Sequence, residues 1–511
     1  MGSTRERNPS LWVGTSSATD HPASVGDRRA DVVVVGAGIA GLTTARLLVG
    51  SGRSVVVIDA GELAAGTTGY TTAKVTSLQS TIYSRLSSRW GDERAAVYAS
   101  ANQAAITTVR ELAADDGIDC GLEEASSYTY TETDAELASI EAEVAAAQRA
   151  GLAVTFTTET DLPYAIRGAV RLDGQAQFHP RRYCLGLADA IVRAGGAVHE
   201  HTRALEVHKD GRVTTDRGEL NAELVVLATH IPISDVGAHF ARMEPMRSYA
   251  GAFHIEGERP SGMYISIDQP TRSIRSTADG YVVVGGEGHK VGHDADTSRR
   301  YDALQGWAAE RFGAPAFDYR WSAQDYQSAD DLPFIGRLTP GSDRVLVATG
   351  FGKWGMTNGT VAAMLISDLA DGVDNPWAAT FDSTRGALRQ GGKKLVQMNL
   401  DVAQRFVGDR LAHLRPPDIE TLAPGEGGIV AQDGHTVAAF RDEDGELHCR
   451  SAKCTHLGCQ VSFNTAERTW DCPCHGSRFD VDGQVLQGPA VEDLADRGAP
   501  AGPSTQGDSA R

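Results

Sequence analysis

The first sustained apolar run begins at Asp31, in DVVVVGAGIAGLTTARLL, where four valines give way through Gly36, Gly38 and Gly41 to apolar residues at helical spacing. A short continuous apolar run closed by glycine predicts a strand buried on both faces, and the change of period predicts a helix behind it. SVVVIDA at 54–60 predicts a second strand ending on Asp59, and ELVVLATH at 223–230 a third, running into a small-residue turn. RVLVATGFGKWGMTNGTVAAMLISDLADG at 344–372 predicts a strand, a glycine turn and a long helix. Such strand and helix alternation predicts an α/β fold. RSYAGAFHI, MYISIDQPTRSIRS and YVVVGGEGHK, between 247 and 290, have no helices among them and predict adjacent antiparallel strands. They belong to a mixed sheet, roughly 151–210 and 240–330, inserted into the α/β part. HTVAAFRDEDGELHCRSAKC at 435–454 alternates apolar and polar residues through a turn, as a small all-β domain does. Between these parts Leu395, Met398, Val402 and Val407 recur near helical spacing before Pro416 and Pro417, which predicts a connecting helix over 386–417. A flexible tether would be glycine- and serine-rich for longer than QGG, so this helix is expected to set a defined distance between its neighbours.

A chain of 511 residues exceeds one ordinary core. The divisions expected are an N-terminal extension (1–30), an α/β domain (31–385), the connecting helix (386–417), a small β domain (418–498) and a disordered tail (499–511). The formal charge of -19 and the lack of a Lys/Arg run argue against nucleic acid or anionic lipid as partners. No apolar h-region opens the chain, and no window reaches the ~18 apolar residues of a membrane span. The expectation is a cytoplasmic protein whose partners are small molecules or proteins, with no nucleic acid and no membrane.

The glycines of the first turn carry chemistry because they stand between strand and helix. Gly36 permits the tight turn, Gly38 lets a pyrophosphate approach the backbone, and Gly41 lets helix and strand pack closely, so that the helix N-terminus faces phosphates. Asp59, at the end of the second strand, is placed to hold a ribose hydroxyl. Gly350, Gly352 and Gly355 also satisfy GxGxxG, yet the helix behind them leads into DGVDNPW with no strand or acid to follow. That turn reads as another helix N-terminus aimed at the first cofactor.

These residues, together with the ATH turn and DLPFIGR at 331–337, resemble the FAD-dependent oxidoreductases of the glutathione-reductase-like fold, in the D-amino-acid and glycine oxidase branch. The resemblance spans roughly 31–380. It implies FAD, with Gly36, Gly38, Gly41 and Asp59 on the ADP half and the segment from Gly352 through Gly355 and Met356 to Thr357 facing the flavin and its ribityl chain. It also implies that the loop GTTGYTTAKVTS at 66–77 lies along pyrophosphate and flavin. Thr67 and Thr68 suit phosphate oxygens, and Lys74 suits negative charge on a reduced flavin ring; the alternative for this loop is a polar surface turn. In the amine-oxidising relatives the inserted sheet covers one flavin face, which makes Arg275 or Arg272 the candidate for clamping a substrate carboxylate. Tyr249, His289, His179, Lys353 and Trp354 are further cavity candidates, with His179 read alternatively as a cap for the helix starting near Pro180.

Five of the seven cysteines crowd between 449 and 474, while Cys120 and Cys184 are scattered, which is a metal pattern rather than a secreted disulfide framework. Cys454 and His456 are one residue apart, Cys472 and His475 two, and fifteen residues separate the pairs. Two thiolates and two imidazoles would also suit zinc. The C-x-H then C-x-x-H order fits a Rieske 2Fe-2S cluster, two cysteines on one iron and two histidines on the other. HLGC, CPCHG and GPA at 488–490 resemble Rieske proteins of the cytochrome bc type, and that resemblance implies a disulfide between Cys459 and Cys474. Cys449 reads as an ordinary strand residue. Where those proteins carry a tyrosine two residues after the serine of CPCHGS, this chain has Phe479, so Ser477 is kept and one hydroxyl donor to the cluster is lost.

No D-x-x-H-x(3,4)-H run stands downstream of the cluster to hold a mononuclear iron, and His289, His293 and Asp294 only imitate one. No second complete nucleotide unit is read either, so nicotinamide is not the evident donor. The resulting expectation is an enzyme that oxidises the C–N bond of a small amine or amino acid by hydride transfer to FAD, single electrons then leaving through the cluster to an external acceptor, with a protein acceptor among the candidates. The alternatives are an electron-transfer protein between protein partners and a flavin-dependent monooxygenase.

Overall fold

Val32 to Val35 are buried on both sides of a strand, Arg28–Val35, that pairs in parallel with Val55–Ile58 on one side and Gly218–Leu227 on the other. In the computed structural model, which describes residues 8–498 apart from 25, 295, 387–391, 393, 401, 404–415 and 433, these strands are the centre of an eight-stranded sheet. Along its main path the order is Phe334–Arg337, Val345–Thr349, Gly218–Leu227, Arg28–Val35, Val55–Ile58, Ala197–His199. The valine runs need no alternation because helices cover the sheet, among them Ile39–Gly50 and Gly355–Ala370.

A second sheet has nine strands, ordered Tyr319–Ser328, Met243–His254, Tyr281–Lys290, Arg272–Ser276, Met263–Ser266, Glu123–Thr131, Gly168–Gln177, Lys74–Val75, with Thr155–Thr157 beside Gly168–Gln177. The three central segments pair antiparallel, as their patterning predicts. The sequence-drawn limits of this sheet need correcting. Glu123–Thr131 belongs to it, pairing parallel with Met263–Ser266, whereas Ala197–His199 and the hairpin Ala204–Val207/Arg212–Thr215 extend the eight-stranded sheet. Strand membership depends on which edge a strand meets, and periodicity does not encode that.

Two compact units are present among the described residues, 8–290 with 298–398, and 291–297 with 399–498. The smaller unit holds a three-stranded sheet (Gly427–Gln432, His435–Arg441, Leu447–Ser451) and a four-stranded one (Ser462–Asn464, Thr469–Asp471, Arg478–Phe479, Val485–Gln487). Trp470, Phe440, Phe479 and the cysteines at 454, 459, 472 and 474 are buried in its core. Val291–Thr297 joins this unit through Thr297, whose hydroxyl donates to Asn464 Oδ1 at 2.6 Å and accepts from the Ala466 N–H at 2.9 Å. Of the predicted connecting helix, residues 394–400 and 402–403 are helical; Val407 and the tail from 499 lie outside the described residues.

The N-terminal extension is a strap packed on the larger unit. Trp12 is buried and donates to the Thr71 carbonyl, Thr15 meets His179 at 3.1 Å, and Thr19 donates to Glu200. Among the described residues no helix is long and apolar enough to cross a membrane.

Candidate functional site

Gly36 has φ +107°, and a Cβ there would sit 2.5 Å from the Ala228 carbonyl oxygen; one on Gly41 would sit 1.9 Å from the Gly36 oxygen. Neither position accepts a side chain, so the first turn is a bare backbone cradle against the neighbouring strand. Asp59 Oδ2 accepts the Ala37 N–H at 2.8 Å, which draws the acid at the second strand's end back onto the glycine turn. Thr68 accepts the Ile39 N–H at 3.1 Å at the start of the first helix, and Thr67 donates to the Gln324 carbonyl at 3.0 Å.

The second glycine turn is left-handed at Gly350, Gly352 and Lys353, and Trp354 caps the helix Gly355–Ala370. A Cβ on Gly359 would lie 3.3–3.5 Å from Ile39 and Ala40. The two helices therefore meet near their N-termini. No strand of the sheet follows the second helix among the described residues. Behind it, Thr357 donates to the Thr76 carbonyl and accepts from Gln79, inside a buried net with Tyr98, Asn102 and Asn358. A backbone-walled glycine turn with an acid at the end of the next strand fits a dinucleotide flavin.

In the smaller unit two loops repeat one backbone pattern. The Cys454 N–H donates to the Cys459 carbonyl at 2.8 Å and the Cys454 carbonyl accepts from Gly458 at 2.9 Å; the Cys472 N–H donates to the Ser477 carbonyl at 2.8 Å and the Cys472 carbonyl accepts from Gly476 at 3.0 Å. Both glycines are left-handed, φ +73° and +79°. A Cys459–Cys474 disulfide ties the loops together. Cys454 and Cys472 are both buried, and the nearness of the two thiols holds Cys454 below and Cys472 above the ordinary thiol value. The Ser477 hydroxyl accepts the Ala490 N–H at 3.1 Å. The His456 and His475 rings stand edge to face, 5.1 Å between centroids. The sulfurs of Cys459, Cys472 and Cys474 lie within 4.8 Å of one another, but the bond between the first and third removes both as ligands. Two buried thiols outside any disulfide, beside a braced imidazole pair, fit an iron–sulfur cluster.

The sequence matches the FAD dependent oxidoreductase family over residues 31–369 and the Rieske [2Fe-2S] domain over 417–497. The chain belongs to the FAD-dependent oxidoreductases. This member carries a C-terminal Rieske domain, and its cofactors are FAD and a 2Fe-2S cluster. It is 38% identical over 499 residues to YhfW of Bacillus subtilis (strain 168), which bears the name of a Rieske 2Fe-2S iron-sulfur protein, covering 96% of this chain and 97% of that one. Its fold is similar to glycine oxidase from Geobacillus kaustophilus (TM-score 0.61, 21% identity, 70% of this chain and 99% of that one). It is also similar to L-amino acid deaminase from Proteus vulgaris (TM-score 0.59, 16% identity, 72% and 100%).

The remaining candidates of this oxidoreductase fall into three groups. Arg275 is a correction: it is buried, with its guanidinium donating to the carbonyls of Ala73 (2.6 Å) and Phe178 (3.1 Å) and lying over Trp12, so it fastens the loop before Lys74 and the strap rather than presenting a carboxylate fork. Burial lowers it to about 9. Arg272 is held by Glu287 at 2.7 Å. His179 is the helix cap, accepting the Arg182 N–H at 3.2 Å, with burial and Arg182 lowering it to about 3. Lys74 is likewise buried, donating to the Tyr264 carbonyl and to Ser273 at 2.6 Å, and burial with Arg275 nearby depresses it well below the usual lysine value.

Tyr249 and His289 stand on paired strands of the nine-stranded sheet, and Lys353 reaches the first of these strands from the second glycine turn. Lys353 Nζ reaches Ser248 Oγ at 2.9 Å, and the protein around it lowers its pKa. His289 lies 3.1 Å from the Tyr249 hydroxyl and stacks on its ring. Sequence reading missed Asp325, which contacts both His230 and the Lys353 backbone. Its only sequence signal is one acid on an otherwise uncharged strand stretch, WSAQDYQS.

Proposed function

We propose that this oxidoreductase oxidises the C–N bond of a small amine or amino acid and delivers the electrons singly to an external acceptor. What supports the reading is the packing of the helices behind the two glycine turns near their N-termini, with no second complete nucleotide unit among the described residues. That favours an organic substrate over a nicotinamide as the source of electrons. The likeness of the larger unit to amino-acid-oxidising enzymes supports the substrate class as an analogy of fold.

Bound FAD supplies a two-electron acceptor able to release electrons one at a time, and the 2Fe-2S cluster supplies a one-electron carrier. We assign Gly36, Gly38, Gly41 and Asp59 to the ADP half, with Thr68 beside the pyrophosphate. Gly350 to Thr357 hold the ring end, where the helix N-terminus favours negative charge. Cys454 and Cys472 are assigned to one iron and His456 and His475 to the other, with Ser477 donating toward sulfur. The substrate lies between the second glycine turn and the inserted sheet, oriented beside Lys353, since hydride transfer depends chiefly on orientation.

Anaerobic mixing of the holoprotein with a panel of amines and amino acids tests the substrate class. Bleaching of the flavin band by at least one of them, with an imine-derived carbonyl product, is expected. Bleaching only by a reduced protein partner would contradict the reading and favour a pure electron-transfer role.

A further inference from the structure

Val291–Thr297 lies inside the stretch that matches the FAD-dependent oxidoreductases, 31–369, yet it folds with the unit that carries the two cysteine loops. It leaves the strand Tyr281–Lys290 and returns into the helix Ser298–Phe312. One excursion of the chain thus joins the Rieske domain from outside that domain's own sequence, 417–497.

The contacts of this excursion fall on the second cysteine loop, 472–477, and on the groups that support it. Gly292 has φ +70°, and a Cβ there would lie 2.9 Å from Cα, Cβ and N of Pro473, the residue between Cys472 and Cys474. Only a residue without a side chain fits that approach. Five residues on, the Thr297 N–H donates to Thr465 Oγ1 at 3.1 Å. The Thr297 hydroxyl accepts the Ala466 N–H at 2.9 Å and lies 2.6 Å from Asn464 Oδ1, nearer than Thr465 Oγ1 at 3.2 Å. Its single hydrogen therefore goes to Asn464. Asn464 Oδ1 also accepts the Glu467 N–H at 3.1 Å, and Nδ2 donates to Asp471 Oδ2 at 2.9 Å.

Asp471 directly precedes Cys472. Its other oxygen accepts from Thr469 Oγ1 at 2.8 Å and from Arg478 Nε at 3.0 Å, and Arg478 directly follows Ser477. One carboxylate therefore ties both ends of the loop together. Thr297, Asn464, Thr469 and Asp471 are each at most 3% exposed, so water does not replace a partner that is lost. With its oxygen held by Thr297, the Asn464 amide presents its NH2 to Asp471, and that N–H screens the carboxylate. Unscreened, the same charge repels an electron added to the neighbouring cluster more strongly.

Resting on the assignment of Cys472 and His475 as iron ligands, we propose that Thr297 is a positioning residue for the cluster. Through Asn464 and Asp471 it fixes the second loop and raises the cluster's potential, while Gly292 seats the same loop at Pro473.

Redox titration of the full-length holoprotein, followed by the EPR signal of the reduced cluster, tests this. Thr297→Val removes the hydroxyl and keeps the side chain's shape. It is expected to lower the midpoint, so that at the wild-type midpoint the reduced-to-oxidised ratio falls about threefold. Thr297→Ser restores the hydroxyl and is expected to titrate with wild type. An unchanged or raised midpoint in Thr297→Val overturns the proposal, as does a Thr297→Ser midpoint displaced as far as that of Thr297→Val. Should Thr297→Val hold no cluster, a Thr297→Ser protein with the wild-type midpoint still supports the hydroxyl's role, and loss of the cluster from both overturns it. Gly292→Ala is expected to shift the g values of the reduced cluster; wild-type g values would overturn the seating at Pro473. Cys472→Ser judges the ligand assignment separately. A cluster that survives that change sinks the assignment, whereas comparing Thr297→Val with Thr297→Ser judges the positioning alone.

Discussion

At residue 479 one oxygen atom separates this chain from the Rieske proteins it resembles. Phe479 is fully buried on the strand that follows the second cluster loop, so no hydroxyl from that position reaches a sulfur, while the buried Ser477 hydroxyl is kept. Hydrogen bonds to cluster sulfur favour the reduced, more negative state. Phe479→Tyr should therefore raise the cluster's midpoint; a bond stronger by about 1.4 kcal/mol on reduction corresponds to about 59 mV for one electron. Potentiometric titration of the two proteins checks the sign, and an unchanged or lowered midpoint would remove the tuning argument. Ligand and cradle residues were legible in the sequence at this scale because each motif is local: CTHLGC, CPCHG and GAGIAG fix turns within a few residues. Arg275 was misread because its partners, the carbonyls of Ala73 and Phe178, lie about 100 to 200 positions away.

Among the elements, the helix Pro180–Arg193 shows how a polar residue near a cavity can serve structure instead. His179 caps it and touches Thr15 of the N-terminal strap, with Trp12 edge-on at 5.1 Å. Its pKa falls from 6.5 to about 3 because burial and Arg182 oppose the cation. Since the folded value lies below the unfolded one, the stabilisation is present above pH 6.5 and is lost as pH falls toward 3. The loss is at most about 1.4 kcal/mol per pH unit. His179→Asn keeps an acceptor for the helix N-terminus and does not titrate. Urea unfolding between pH 7 and 4 should show a shallower loss of stability in the variant than in wild type; parallel slopes would show that His179 does not carry the acid sensitivity. Strands and helices of the nucleotide sheet were readable from the valine runs, and the three central strands of the second sheet from alternation. The parallel pairing of Glu123–Thr131 with Met263–Ser266, and the meeting of His230 with Asp325, are contacts across about 100 residues or more that no local period records.

For the whole molecule, the full-length likeness to YhfW shows that this pairing of sequence regions recurs in another protein of the same length class. A chain that carries a two-electron acceptor and a one-electron carrier is suited to separating an electron pair. The direction is the central claim: substrate electrons enter at the glycine cradle and leave at the two cysteine loops. Anaerobic stopped-flow mixing with a substrate that bleaches the flavin, followed at flavin and cluster bands in wild type and Cys454→Ser, tests it most directly. The account predicts that the flavin band bleaches first, then partly recovers as the cluster band bleaches, and that Cys454→Ser retains the first phase and loses the second. Cluster bleaching that precedes the flavin, or that persists unchanged in Cys454→Ser, would contradict it.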